Sequence, residues 1–120
     1  MIIRTETSGL LANEFDKMKT ALEEDKADLA TIPSVYFLCH FVPYIVEQLD
    51  SGNESELKKI FAFIEKLLVE GDEDVEDIVI CSVIEAIYFD YDFARYKDMI
   101  FSLCGKLTRK SFEEVAVEII

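Results

Sequence analysis

Six carboxylates fall within eight residues, Glu70, Asp72, Glu73, Asp74, Glu76 and Asp77, and two more, Asp90 and Asp92, stand among the rings of Tyr88, Phe89, Tyr91, Phe93 and Tyr96. Metal binding and electrostatic docking are the two chemistries such a set could serve. Asp72, Asp74 and Glu76 occupy alternate positions, as the first ligands of an EF-hand calcium loop do. The sixth place of that loop needs Gly for its sharp turn and the twelfth needs a bidentate Glu; here they are Asp77 and Val83, so no designed metal site is expected. Docking fits the pattern better, because a dense patch of one sign raises the association rate with a basic partner and orients it. The same acids also serve a structural purpose at a helix start, where each interacts favourably with the helix dipole by ~0.3–1 kcal/mol. Five aromatics in nine residues exceed what one core-facing stripe can hide, and exposed Tyr beside Asp supplies both anchor area and orientation. The candidate partner-binding residues are therefore Asp72, Glu73, Asp74, Glu76, Asp77, Tyr88, Asp90, Tyr91 and Asp92.

Catalytic material is scarce. The chain has one His, no Trp and 4 Gly, too little for a multi-histidine metal site or a phosphate-cradling loop. His40 follows Cys39, but neighbouring helical residues point about 100° apart and do not make a nucleophile and base pair. The acids sit on turns and helix ends rather than facing one another across a cleft, so no catalytic residue, cofactor or enzyme activity is expected. Cys39, Cys81 and Cys104 are odd in number, form no C-x-x-C pair and lie in apolar runs, which predicts reduced, buried, hydrophobe-like cysteines.

The elements that position these residues follow from apolar spacing. Leu11, Phe15, Met18 and Leu22 step by 4, 3 and 4 and predict a first helix over about Ser8 to Asp25. Pro33 and Ser34 start a second that is apolar on most sides from Val35 to Leu49, with a kink or break expected near Cys39 because Pro43 lacks a backbone donor. Asn53 with Glu56 has capping-box spacing for a third helix, whose stripe of Leu57, Ile60, Phe61, Ile64, Leu67 and Leu68 should end at a left-handed Gly71. Asp72 or Asp74 caps a fourth, apolar on all faces from Ile78 to Ile84 and so expected to be covered on both sides. A fifth carries Phe93, Tyr96, Ile100, Leu103 and Cys104 up to Gly105. Ser111 with Glu114 caps a sixth, with Phe112, Val115, Ala116 and Ile119 inward. The fold class is all-α, a compact bundle or short HEAT-like stack of about six helices in a single domain over residues 1–120.

With 51% hydrophobic residues, 120 residues can bury a core without disulfides or metal. The 25 acids against 12 bases leave a net charge of −13, which excludes direct binding to nucleic acid or anionic lipid, where each phosphate contact needs a cation. The field is concentrated: residues 54–92 are net −9, residues 1–53 net −5 and residues 93–120 net +1. Arg4 and Glu6 interrupt the start before any signal-peptide stretch, and the apolar window from Val35 to Val46 is shorter than a membrane span, so a cytoplasmic protein without membrane contact is expected.

Leu57-Lys58-Lys59-Ile60-Phe61-Ala62-Phe63-Ile64-Glu65, the turn Gly71-Asp72-Glu73 to Val75, and Ser82 to Glu85-Ala86-Ile87 resemble small helical immunity-type proteins of bacterial polymorphic and contact-dependent growth-inhibition toxin systems. The resemblance spans residues 33–90. It implies a non-catalytic protein that binds a cognate toxin and blocks its active site or substrate access, with Glu65 and Glu85 keeping the fold rather than contacting the toxin. A basic nuclease toxin suits an acidic inhibitor, since the inhibitor can occupy the groove that holds nucleic acid. A helical adaptor or regulatory subunit that docks a basic partner is the alternative.

Overall fold

The computed structural model describes residues 1–24 and 32–118. They form seven helices: α1 (Arg4–Glu14), α2 (Asp16–Glu24), α3 (33–51), α4 (Glu54–Glu70), α5 (73–90), α6 (Phe93–Leu103) and α7 (Lys106–Glu118). Ile119, expected on the last helix, and Asp25, expected at the end of the first, lie outside the described residues.

The predicted first helix is two. Phe15 adopts extended backbone (φ −130°, ψ 118°) between α1 and α2. This turns the chain while driving the Phe15 ring between α3 and α4, 5.5 Å from Phe41, 5.6 Å from Phe63 and 6.1 Å from Tyr44. Leu11, Phe15 and Met18 all remain buried, so the stripe is real although the helix under it is broken.

The disturbance expected near Cys39 is a π-helical turn, Phe37–Phe41, within an otherwise continuous α3. In a regular helix the Pro43 ring would clash with the Cys39 carbonyl and leave it without a donor. The wider turn, closed by Val42 N–H to the Phe37 carbonyl, lets the helix pass this point unbroken. A second π turn, Ile80–Ile84, lies in α5, and the two turns touch. Gly52 (φ 67°) then stops α3 in the left-handed region.

Asn53 caps α4 through Glu56 N–H, but the Glu56 carboxylate accepts from the Tyr44 hydroxyl (2.7 Å), fastening α4 to α3. Gly71 is extended (φ −81°, ψ 155°), not left-handed as expected. Its backbone forms an isolated parallel bridge with Ile2: Ile2 N–H donates to the Glu70 carbonyl (2.7 Å) and Asp72 N–H to the Ile2 carbonyl (3.0 Å). The glycine is needed for closeness, since a Cβ there would lie 2.4 Å from Val75 Cγ1 and 2.5 Å from the Leu67 carbonyl oxygen.

The core is one cluster around Tyr36, Phe37, Phe41 and Ile45 of α3, Leu57, Ile60, Phe61, Ile64 and Leu67 of α4, and Val75, Val79, Val83, Ile84 and Ile87 of α5. Burial pushes the Tyr36 phenol up to about 12, and its hydroxyl donates to the Met18 carbonyl (2.5 Å).

Two expectations of burial fail. Cys39 and Cys81 are exposed and Cys104 is half-buried, and none of the three is in a disulfide. Helices α3 and α5, apolar on most sides, still keep an outward face, on which Val35, Leu38, Cys39 and Cys81 lie opposite the rings that fill the core. The last helix begins at Lys106, not after Ser111. Ser111 is an interior, buried position whose hydroxyl donates to the Leu107 carbonyl (2.9 Å).

Candidate functional site

Helix α5 carries both parts of the candidate surface, one at each end. At its start the Asp72 side chain accepts the Val75 N–H (3.0 Å), so this carboxylate is a cap and half-buried. Glu73, Asp74, Glu76 and Asp77 are exposed, and among the described residues none of them forms an ion pair. Their charge is therefore turned to solvent, where it is available at long range.

At the other end, Tyr88 is half-buried, 4.9 Å from Phe93 and 5.1 Å from Phe89 between ring centroids. Phe93 stacks on Phe112 of α7 at 4.9 Å with 14° between planes. Asp90, Tyr91 and Asp92 form the exposed corner between α5 and α6, with Tyr91 36% exposed. Tyr96 faces inward, its hydroxyl donating to Asp50; this bond, with burial, pushes its phenol up. The aromatic set thus divides into core (Tyr96), half-buried rings packed on the core (Tyr88, Phe93) and exposed rim (Phe89, Tyr91). Phe89, not among the expected partner-binding residues, is the most exposed of them at 54%. Its place at a helix end between Tyr88 and Asp90 was the available signal.

The seventeen residue steps from Glu73 to Asp90 put the two groups about 25 Å apart along α5, with Cys81 and Glu85 between them. They are not a pocket but the two ends of one ridge. Among the described residues no group of three or more His, Cys, Asp or Glu could hold a metal ion, and no helix is long and apolar enough to cross a membrane. His40 is half-buried, its ring 6.2 Å from Tyr36.

Glu65, the residue carried over as fold-keeping, has a definite task in the structure. Its carboxylate accepts three hydrogen bonds at the start of α7: Leu107 N–H to Oε2 (3.0 Å), and Thr108 N–H (2.9 Å) and the Thr108 hydroxyl (2.8 Å) to Oε1. Burial pushes this carboxyl up, but the three donors outweigh it and hold it below the usual Glu value. The cap that local spacing assigned to Ser111 thus comes from α4.

The model of a family described as a domain of unknown function (DUF7674) matches residues 9–118. No curated protein and no solved structure matches the chain.

Proposed function

We propose that the chain, which belongs to the DUF7674 family, is a non-catalytic inhibitor of immunity type that acts in the cytoplasm. It binds a cognate basic nuclease toxin and occludes the surface that would hold nucleic acid. The observation that carries this reading is the bare acidic start of α5, where Glu73, Asp74, Glu76 and Asp77 all face solvent without a cationic partner among the described residues. Capping needs only one of the carboxylates at this turn, and Asp72 does it. The dipole gains at most ~1 kcal/mol from each of the others while they repel one another, so their density is better explained by an approaching cation.

Steering and holding then fall to different ends of the ridge. The acids set orientation and association rate, while Phe89, Tyr91 and the edge of Tyr88 give a partner apolar area to desolvate, the term that sets dissociation.

The test begins with the neighbouring genes: a basic nuclease domain encoded there is measured for association at two salt concentrations, and its absence counts against the toxin partner. Wild type is compared with a variant in which Glu73, Asp74, Glu76 and Asp77 are changed to Gln or Asn and the Asp72 cap is kept. Association should slow by roughly tenfold or more at low salt and lose most of its salt dependence. Unchanged association with an unchanged salt slope would refute the assignment of the acidic turn, and absence of binding would refute the toxin partner.

A further inference from the structure

The last two helices differ in character from the acidic ridge. Residues 93–120 carry net +1 in a chain of net −13. Here α6, α7 and the end of α5 enclose a cleft of about 330 Å³, within the ~300–1,000 Å³ of small-molecule sites.

Three half-buried aromatic rings, Tyr88, Phe93 and Phe101, line it, with the buried Phe112 beneath them. Phe93 and Phe112 stack, Tyr88 leans on Phe93, and Phe101 meets Phe93 and Phe112 at 6.0 and 6.3 Å with its plane steeply inclined to both. Two cations and one carboxylate, Glu113, line the same cleft, a net charge of +1. The Arg109 guanidinium lies 4.6 Å from the Phe101 centroid and Lys97 Nζ lies 5.9 Å from it. Arg109 is held in place by Glu113 (3.7 Å), an exposed pair whose charges compensate only partly in water.

Aromatic walls alone would accept a cation as readily as a neutral ring. In this cleft the cationic positions over Phe101 are already taken by the chain's own Lys97 and Arg109, so a second cation is repelled and an anion is drawn to the same edge. The acids at Glu73–Asp77 lie far enough along α5 to be screened at moderate salt, and the nearer Asp90 and Asp92 stand on the exposed corner outside the cleft, whose own lining is cationic on balance.

We propose that this cleft binds a small organic acid with a flat apolar body. Its ring lies against Phe93 and Phe101, over a floor made by the buried Phe112, and its carboxylate meets Lys97 and Arg109. The site is separate from the partner surface, with Tyr88 as their common border.

The probes are 2-naphthoate and its neutral analogue 2-naphthalenemethanol, titrated into the full chain and followed by backbone amide chemical shifts. Naphthoate should saturate below about 1 mM, with shifts concentrated in residues 88–116, and bind at least fivefold more tightly than the alcohol. Lys97→Met and Arg109→Met should each weaken naphthoate threefold or more and leave the alcohol unchanged. Ala94→Phe, at an exposed position on the cleft wall, should weaken both tenfold or more by filling the space. Equal affinity for acid and alcohol, no saturation by about 10 mM, or unaltered binding to the Ala94→Phe variant would each overturn the proposal.

Discussion

Replacing Glu65 by Ala should cost about 2–3 kcal/mol, although the residue is neither hydrophobic nor fully buried. Three donors lose their acceptor at once: the N–H groups of Leu107 and Thr108 and the hydroxyl of Thr108, a residue with no exposed surface. Hydrogen bonds to a charged group are worth about 1.5–3 kcal/mol each, but they are not additive, and solvent reaches the half-exposed carboxylate and can hydrate part of what it leaves. Loss of an ordinary helix cap, about 0.5–2 kcal/mol, sets the lower scale, and an unsatisfied buried hydroxyl adds roughly 1. In a domain of this size that corresponds to a fall in Tm of about 6–15 °C.

Two controls make the reasoning specific. A Cβ at Gly105 would sit 2.4 Å from the Glu65 carboxyl carbon, so Gly105→Ala should displace the carboxylate and reproduce much of the loss. In the Glu65→Ala background the same change should cost far less, giving a coupling of about 1 kcal/mol or more in the double-mutant cycle. The second control is pH. Because the folded carboxyl lies below its unfolded value, its contribution is complete above the unfolded pKa and disappears as pH falls through the folded one. The stability gap between wild type and Glu65→Ala, measured by urea unfolding, should therefore be constant near neutrality and close on acidification below the ordinary Glu range. A loss under about 0.5 kcal/mol at pH 7, or a gap that widens as pH falls, would refute the capping argument.

Ile64 is 1% exposed in the centre of the α4 stripe, so Ile64→Ala should destabilise by ~2–5 kcal/mol, and a loss below about 1 in denaturant unfolding would mean that the stripe is not core. Gly71→Ala must push Val75 or the α4 end aside and should cost about 1–3 kcal/mol together with amide protection at Ile2 and Asp72, whose bonds depend on the close approach. Asp72→Ala should cost about 0.5–2 kcal/mol of stability whereas Asp74→Ala should cost almost none, because only Asp72 accepts the Val75 N–H; equal effects in thermal unfolding would contradict this division. In the partner kinetics, Tyr91→Ala and Phe89→Ala should mainly raise the dissociation rate and leave the salt slope intact, and a change confined to association would remove them as anchors.

Helix identity was readable from the chain because the 3.6-residue period is local: the stripes from Leu11 to Leu22 and from Leu57 to Leu68 need only their own segments to be seen. What escaped was set by contacts distant in sequence. Phe15 breaks a helix that has no Gly or Pro at that point, because the space between α3 and α4 draws its ring inward. Gly71 has the spacing of a left-handed helix end, but Ile2 pairs with it from the far end of the sequence and makes it extended. Ser111 and Glu114 have the right spacing for a cap, yet Glu65 caps the helix one and a half turns earlier from another element. The candidate surface shows the same division. That the acids are dense and the aromatics too many to bury was visible in composition, and Asp72 as cap in its position. That the two groups lie at opposite ends of one helix was legible too, because the apolar run between them has no Gly or Pro to break it; the π turn at Ile80–Ile84 within that helix is what no residue in the segment announces.

This separation restricts what could use the ridge. A standard interface takes about 800 Å² from each partner, a patch roughly 30 Å across, which is just enough to touch both the acids at Glu73–Asp77 and the rings at Phe89 and Tyr91. A short basic peptide held at the acidic turn would gain steering without an apolar anchor, and exposed ion pairs at ~0–1 kcal/mol each would not hold it. A folded domain with a long basic groove could span the full length, meeting the acids with its cations at one end and desolvating the rings at the other. The nucleic-acid groove of a nuclease has that length and that charge, and phosphate binding there already demands the cations that an acidic ridge would engage. The length of α5, and not the number of acids alone, is therefore the reason for preferring a folded basic domain over a flexible basic tail as the partner.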